Sequence, residues 1–162
     1  MDNKRKILSL AIWVSTLLFV LADLIIVFLC YDQLPACIPS HFTFTGLPDA
    51  YSTKPGIWLL PVMGAIIYLV LGTLQLLMRV MKRPDELSTE VLAMVSGMIR
   101  LLKLLFSVLF LYLTVATLLI AFGRMKGLGV IFTPLFLLSM TAVLVLSIRR
   151  VFLKQKLSGK QN

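Results

Sequence analysis

Residues 35–54 read PACIPSHFTFTGLPDAYSTK. The stretch lies between two long apolar runs, residues 7–30 and 57–78, and holds the chain's only histidine, three prolines and a cysteine. Two antiparallel helices can be joined by a handful of polar residues. A connector this long, with prolines stiffening its entry at Pro35 and Pro39, predicts an ordered cap. Within it HFTFT alternates like a strand, and GLPDAYS carries turn-forming residues, so a short hairpin is one form the cap can take.

Outward from the cap, the 162-residue chain is 59% hydrophobic, which is high for a water-soluble domain of this size. Four runs, at residues 7–30, 57–78, 101–122 and 128–148, are nearly free of charge. Each approaches the ~20 residues with which an α-helix crosses ~30 Å of hydrocarbon. The ten-residue alternation of a membrane barrel is absent, and lipid leaves backbone polar groups no other partner, so helices are expected. The fold class is therefore all-α integral membrane, with residues 1–162 forming a single four-helix domain.

The net charge of +9 is distributed unevenly. Thirteen of the sixteen basic residues fall on one side of the alternating helices, and only Lys54, Arg124 and Lys126 fall on the other. The positive-inside rule then puts both termini in the cytoplasm and the 31–56 and 123–127 loops outside. This pattern serves orientation and contact with anionic membrane lipids, and it argues against a nucleic-acid partner. The N-terminal lysines and Val20-Leu21-Ala22 resemble a cleavable signal peptide. The apolar run continues to Cys30, however, long enough to span, and an uncleaved first helix is expected.

Helix one should stop before Pro35, and helix two should open after Lys54-Pro55-Gly56 and close at the basic run before Pro84. Residues 84–100 have apolar positions at helical spacing. They are expected as an amphipathic segment on the inner surface that continues into helix three, with Arg100 and Lys103 snorkelling to the headgroups. The short turn at 123–127 makes helices three and four antiparallel neighbours. The basic tail after Arg150 is expected to fray.

No catalytic constellation emerges. Cys30 and Cys37 stand seven apart with no further cysteine, which leaves a structural disulfide or two unpaired thiols and argues against a disulfide-relay enzyme. His41 with the carboxylates of Asp32 and Asp49 is a poor zinc donor set. Asp23 lies seven residues inside helix one, ~10 Å below the interface, where a charge is costly. It is expected to bond a hydroxyl such as Tyr68 or Thr114, or to mark a polar cavity. Gly64, Tyr68, Gly72 and Gln75 share one face of helix two and read as its packing seam, opposite Ser107, Thr114 and Thr117.

The loop also resembles the signature of a bacterial membrane domain of unknown function that forms the front part of SdpI-type immunity and signalling proteins. Leu34, Pro35, Ile38, Pro39, His41, Phe42, Gly46, Pro48, Asp49, Tyr51 and Lys54 carry the resemblance, and the chain departs from it at Thr43, where asparagine is frequent. The resemblance implies the bacterial cytoplasmic membrane, an extracellular peptide ligand, and a cytoplasmic or membrane protein partner.

The reading that follows is a non-enzymatic multi-pass protein, without cofactor or metal, that binds or senses a peptide or lipid-like ligand at its outer face. Its loop residues would be Pro39, His41, Phe42, Gly46, Pro48, Asp49, Tyr51 and Lys54, with His41, Asp49 and Lys54 forming one polar network. Phe42, Phe44 and Tyr51 would offer the contact surface. Asp23, Tyr68 and Gln75 are the intramembrane polar residues. The alternative is a small transporter or accessory subunit using Asp23 and His41.

Overall fold

The computed structural model describes residues 2–80 and 86–158. Helix α1 (Asp2–Cys30) passes through a 3-10 turn into a two-stranded antiparallel hairpin, β1 (Cys37–Phe42) and β2 (Pro48–Thr53). A second 3-10 turn, Lys54–Trp58, leads into α2 (Leu59–Val80), followed by α3 (Glu86–Ala121) and α4 (Phe132–Ser158). All four helices are long and apolar enough to cross a membrane, over Ile7–Gln33, Lys54–Met78, Met94–Ala121 and Phe132–Arg149.

Helical phase decides which faces meet. On α1 the buried positions are Thr16, Val20, Asp23 and Val27, three or four apart, while Leu18, Leu21, Ile25 and Phe28 are exposed. On α3 the buried row is Ile99, Lys103, Ser107, Thr114, Thr117 and Leu118. A stripe of bare leucines would be a liability in water, but in lipid it is the ordinary outer face of a spanning helix. Helix α3 lies at the centre and packs on α1, α2 and α4. Helix α4 leans chiefly on α3, and none of its spanning window is buried.

The α2–α3 seam is built on a close approach at Gly64, where an added Cβ would sit 3.2 Å from the Phe110 side chain. Further along α2, Gln75 Nε2 donates to the Ser96 carbonyl at 3.0 Å. Arg100 Nη1 donates to Ser9 Oγ at 2.6 Å, tying α3 to α1.

Several boundaries differ from the sequence reading. Helix four begins at Phe132 and not near 128, because Leu128 is held in the preceding loop by backbone hydrogen bonding. Its backbone is helical to Ser158, eight residues past Arg150, where the sequence reading has the tail fraying; residues 159–162 lie outside the described residues. The 84–100 segment, described from Glu86, is one continuous helix with the third span. Its beginning at Pro84, with Lys82 and Arg83 before it, lies outside the described residues. Lys103 does not snorkel outward. It stands on the buried row of α3, and its ammonium lies 3.9 Å from the centroid of the Tyr68 ring.

Candidate functional site: a cavity roofed by the hairpin

The hairpin closes at its base through Lys54 N–H, which donates to the Ala36 carbonyl at 3.0 Å. Pairing runs from Cys37 with Thr53 to Phe42 with Pro48, with irregularities on both sides of His41. The turn is shorter than the sequence suggests, since Pro48 to Ser52, read as turn residues, belong to β2. Pairing with β1 prevails over local turn preference.

Thr43 organises the tip. Its amide donates to the Leu47 carbonyl at 2.8 Å, and its hydroxyl accepts the Leu47 amide at 3.2 Å. An asparagine side chain can accept the same kind of bond, which gives the departure at this position a physical equivalence.

The tip is fastened to the loop between α3 and α4. Gly46 has φ +83°, a conformation open to glycine, and its carbonyl accepts the Leu128 amide at 2.8 Å. A Cβ at Gly127 would stand 2.5 Å from the Gly46 oxygen, so the two backbones touch with nothing between them. Leu128 is held from its other side by Tyr112, whose hydroxyl donates to the Leu128 carbonyl at 2.6 Å. Tyr112 stacks on Phe132 at 4.6 Å. At the base of the hairpin, buried Ile38 packs with Val27, Leu34, Ile57 and Leu118.

Between these two attachments lies a cavity of about 600 Å³. Its wall includes Phe42 and Phe44 from the hairpin, Leu60 of α2, Leu113 and Thr117 of α3, and Leu128. Most of this wall is apolar, and the few hydroxyl groups and His41 supply its polar contacts. That composition suits an amphiphile with an apolar body and a small polar end. Leu128 also borders a second apolar groove of about 580 Å³ between α3 and α4, so the two spaces share a wall residue.

The candidate loop residues fall into separate groups. His41 Nδ1 and Asp49 Oδ1 lie 2.6 Å apart, both exposed, and the irregular register leaves Asp49 outside the regular pairs, beside His41. Lys54 does not join them. Its ammonium donates to the Asp32 carbonyl at 3.1 Å and sits 4.8 Å from the Tyr31 ring centroid. The single network of His41, Asp49 and Lys54 is therefore two contacts, one near the tip and one at the base. Pro39 is buried and lines the cavity. Pro48 is half-buried. Tyr51 and Phe44 are exposed, and of the two only Phe44 borders the cavity. Cys30 and Cys37 are both free thiols.

Deeper in the bundle, Asp23, Thr114 and Thr117 are all buried. Thr114 is the hydroxyl side chain that interacts with Asp23, one of the two candidates the sequence offered, and the Thr117 hydroxyl has no hydrogen-bond partner among the described residues. Tyr68 is not the partner of Asp23. It sits beside Thr16, two helical turns along α1 from Asp23. Among the described residues no group of three or more His, Cys, Asp or Glu is placed to hold a metal.

Sequence reasoning missed Gly127, Leu128 and Tyr112, which hold the roof, and the inward turn of Lys103. The Gly-Leu-Gly run at 127–129 was the available signal for the first, although by itself it reads as an ordinary turn.

Fold and site together define a helical protein with four candidate membrane spans and a β-hairpin covering a cavity at one end. A family model described as a domain of unknown function (DUF1648) matches residues 18–65, from the second half of α1 through the hairpin into α2. No curated protein and no solved structure matches the chain.

Proposed function

We propose that the protein is a non-enzymatic binder or sensor in the bacterial cytoplasmic membrane, taking a peptide or lipid-like amphiphile into the cavity beneath its hairpin. Both termini lie in the cytoplasm and the hairpin faces outward, on the strength of the 13-to-3 division of basic residues. The observation that carries the reading is the cavity of about 600 Å³, apolar in most of its wall and bordered by hydroxyl groups and His41. A ligand arriving from outside meets the exposed His41–Asp49 pair and Phe44 first, then buries its apolar part against Leu60 and Leu113. A role in immunity or signalling of the SdpI type is the form of this function that the loop motif suggests. The basic cytoplasmic segments suit anionic lipid or an acidic protein partner.

The reading is tested in bacteria expressing the wild type or Leu113→Trp, which fills the cavity, challenged with a panel of exported amphipathic antimicrobial peptides. The wild type should raise tolerance to at least one peptide several-fold, and Leu113→Trp should remove that gain at equal membrane abundance. Unchanged tolerance across the panel, or equal protection by Leu113→Trp, contradicts it.

A further inference from the structure

A two-stranded sheet leaves one edge of each strand without a partner strand, and the free edge of β1 is the one turned away from β2. The cavity lies on that side. Side chains alternate across a strand, so a space under one face of the hairpin would touch every second residue of both strands. This cavity instead meets residues 38–44 without a gap, and only Ser52 from β2. It runs along the edge of β1, with the strand backbone as one wall.

The register tells which backbone groups that edge presents. Lys54 N–H donates to the Ala36 carbonyl at the base of the hairpin, and Thr43 N–H to the Leu47 carbonyl at its tip. In an antiparallel ladder, hydrogen-bonded and non-bonded pairs alternate, and residues of a non-bonded pair turn their N–H and C=O away from the partner strand. Counted from the base, Pro39–Tyr51 is a non-bonded pair; counted from the tip, so is Phe42–Pro48. The prolines agree with this count, since neither can give an N–H to the opposite strand. Ser40, passed over in the pairing, takes up the extra residue between the two counts. The free edge thus offers the Pro39 carbonyl and both the N–H and the carbonyl of Phe42. Among the described residues, no backbone hydrogen bond joins residues 37–42 to any segment other than β2.

We propose that an extended peptide segment binds along β1 as a third strand, pairing its backbone with Pro39 and Phe42. Its alternate side chains enter the cavity against Leu60 and Leu113. The stretch from Pro39 to Phe42 is ~10 Å of strand, enough to engage about four residues of the peptide. This inference rests on the reading of the cavity as a ligand site and selects peptide over lipid, because an acyl chain offers nothing to the backbone groups of the edge.

The test is selection of a random octapeptide library displayed on phage against the full-length protein in nanodiscs. Enriched peptides should bind the wild type and not Leu113→Trp. Remade with single backbone N-methyl groups, they should lose affinity several-fold at every second position and little at those between. Bound peptide should also slow hydrogen exchange at the Phe42 amide. Binding indifferent to the position of the methyl group, or a Phe42 amide left unprotected, overturns the proposal. So does a library without binders. In that case a photoactivatable fatty acid that labels Leu60 and Leu113 leaves the amphiphile reading of the cavity standing alone, and one that labels neither removes both. Phe42 protection that rises with protein concentration in the absence of peptide assigns the edge to a second copy of the chain and overturns the proposal as well.

Discussion

The backbone amide of Leu128 donates to the carbonyl of Gly46 at 2.8 Å, joining the tip of the hairpin to the loop before α4. This bond, with the Gly127 backbone pressed against it, turns a loop between the first two spans into a roof over the third. The roof is held at its tip by main-chain contact and at its base by the Ile38 cluster. The exposed His41–Asp49 pair takes part in neither attachment.

Gly127→Ala should loosen the tip. The new Cβ would stand 2.5 Å from a backbone oxygen, which cannot rotate away. Overpacking of this kind costs about 1–3 kcal/mol. Hydrogen exchange at the Leu128 amide should accelerate while amides within α1 and α2 keep their protection. Unchanged exchange at Leu128 would remove the latch from the account.

Tyr112→Phe keeps the ring stacked on Phe132 and deletes the hydrogen bond to the Leu128 carbonyl. The expected loss is about 0.5–1.5 kcal/mol. Chemical denaturation in mixed micelles should report it, with Leu128 exchange again the local reading. A larger loss, of the size of a deleted core side chain, would mean that the ring itself has been displaced.

His41→Ala and Asp49→Ala should each cost about 0.2–1 kcal/mol, since both partners are exposed to solvent. The double variant should cost no more than the worse single one, because removing either partner already breaks the pair. Limited proteolysis of the hairpin should be nearly unchanged in all three. Rapid cleavage within residues 40–50 in either single variant would show that the pair, and not the backbone latch, secures the roof.

Lys54→Met deletes the bond to the Asp32 carbonyl and the cation over Tyr31. Together these are worth about 1 kcal/mol at a partly exposed site. Tyr31 lies 6.0 Å from Trp58, so Trp58 fluorescence in a Trp13→Phe background should shift with the substitution. An identical spectrum and unchanged stability would show that neither contact matters.

Much of this architecture is legible in the residues, for reasons that differ from element to element. The four spans follow from apolar length alone. The start of α4 does not, because Leu128, Val130 and Ile131 read as helix while tertiary bonds hold Leu128 in a loop. The second strand was obscured by Pro48, whose turn preference is overridden by pairing with Phe42, and by Asp49, which sits in the irregular step of the register. Lys103 read as an interfacial lysine because charge at a helix end suggests snorkelling. Its phase with Ser107 and Thr114 carried the contrary signal. The cavity had no signal at all, since it exists only where the hairpin folds back over α2 and α3.

The central claim, that an amphiphile occupies that cavity, is tested most directly by photoaffinity mapping. A membrane-active amphipathic peptide carrying a diazirine would be irradiated with the protein in nanodiscs, and the labelled residues located by mass spectrometry. The account predicts labelling concentrated at Leu60, Leu113 and Leu128 and lost in Leu113→Trp. Labelling spread over lipid-facing positions of α4 such as Leu137 and Leu138, and indifferent to Leu113→Trp, would contradict it.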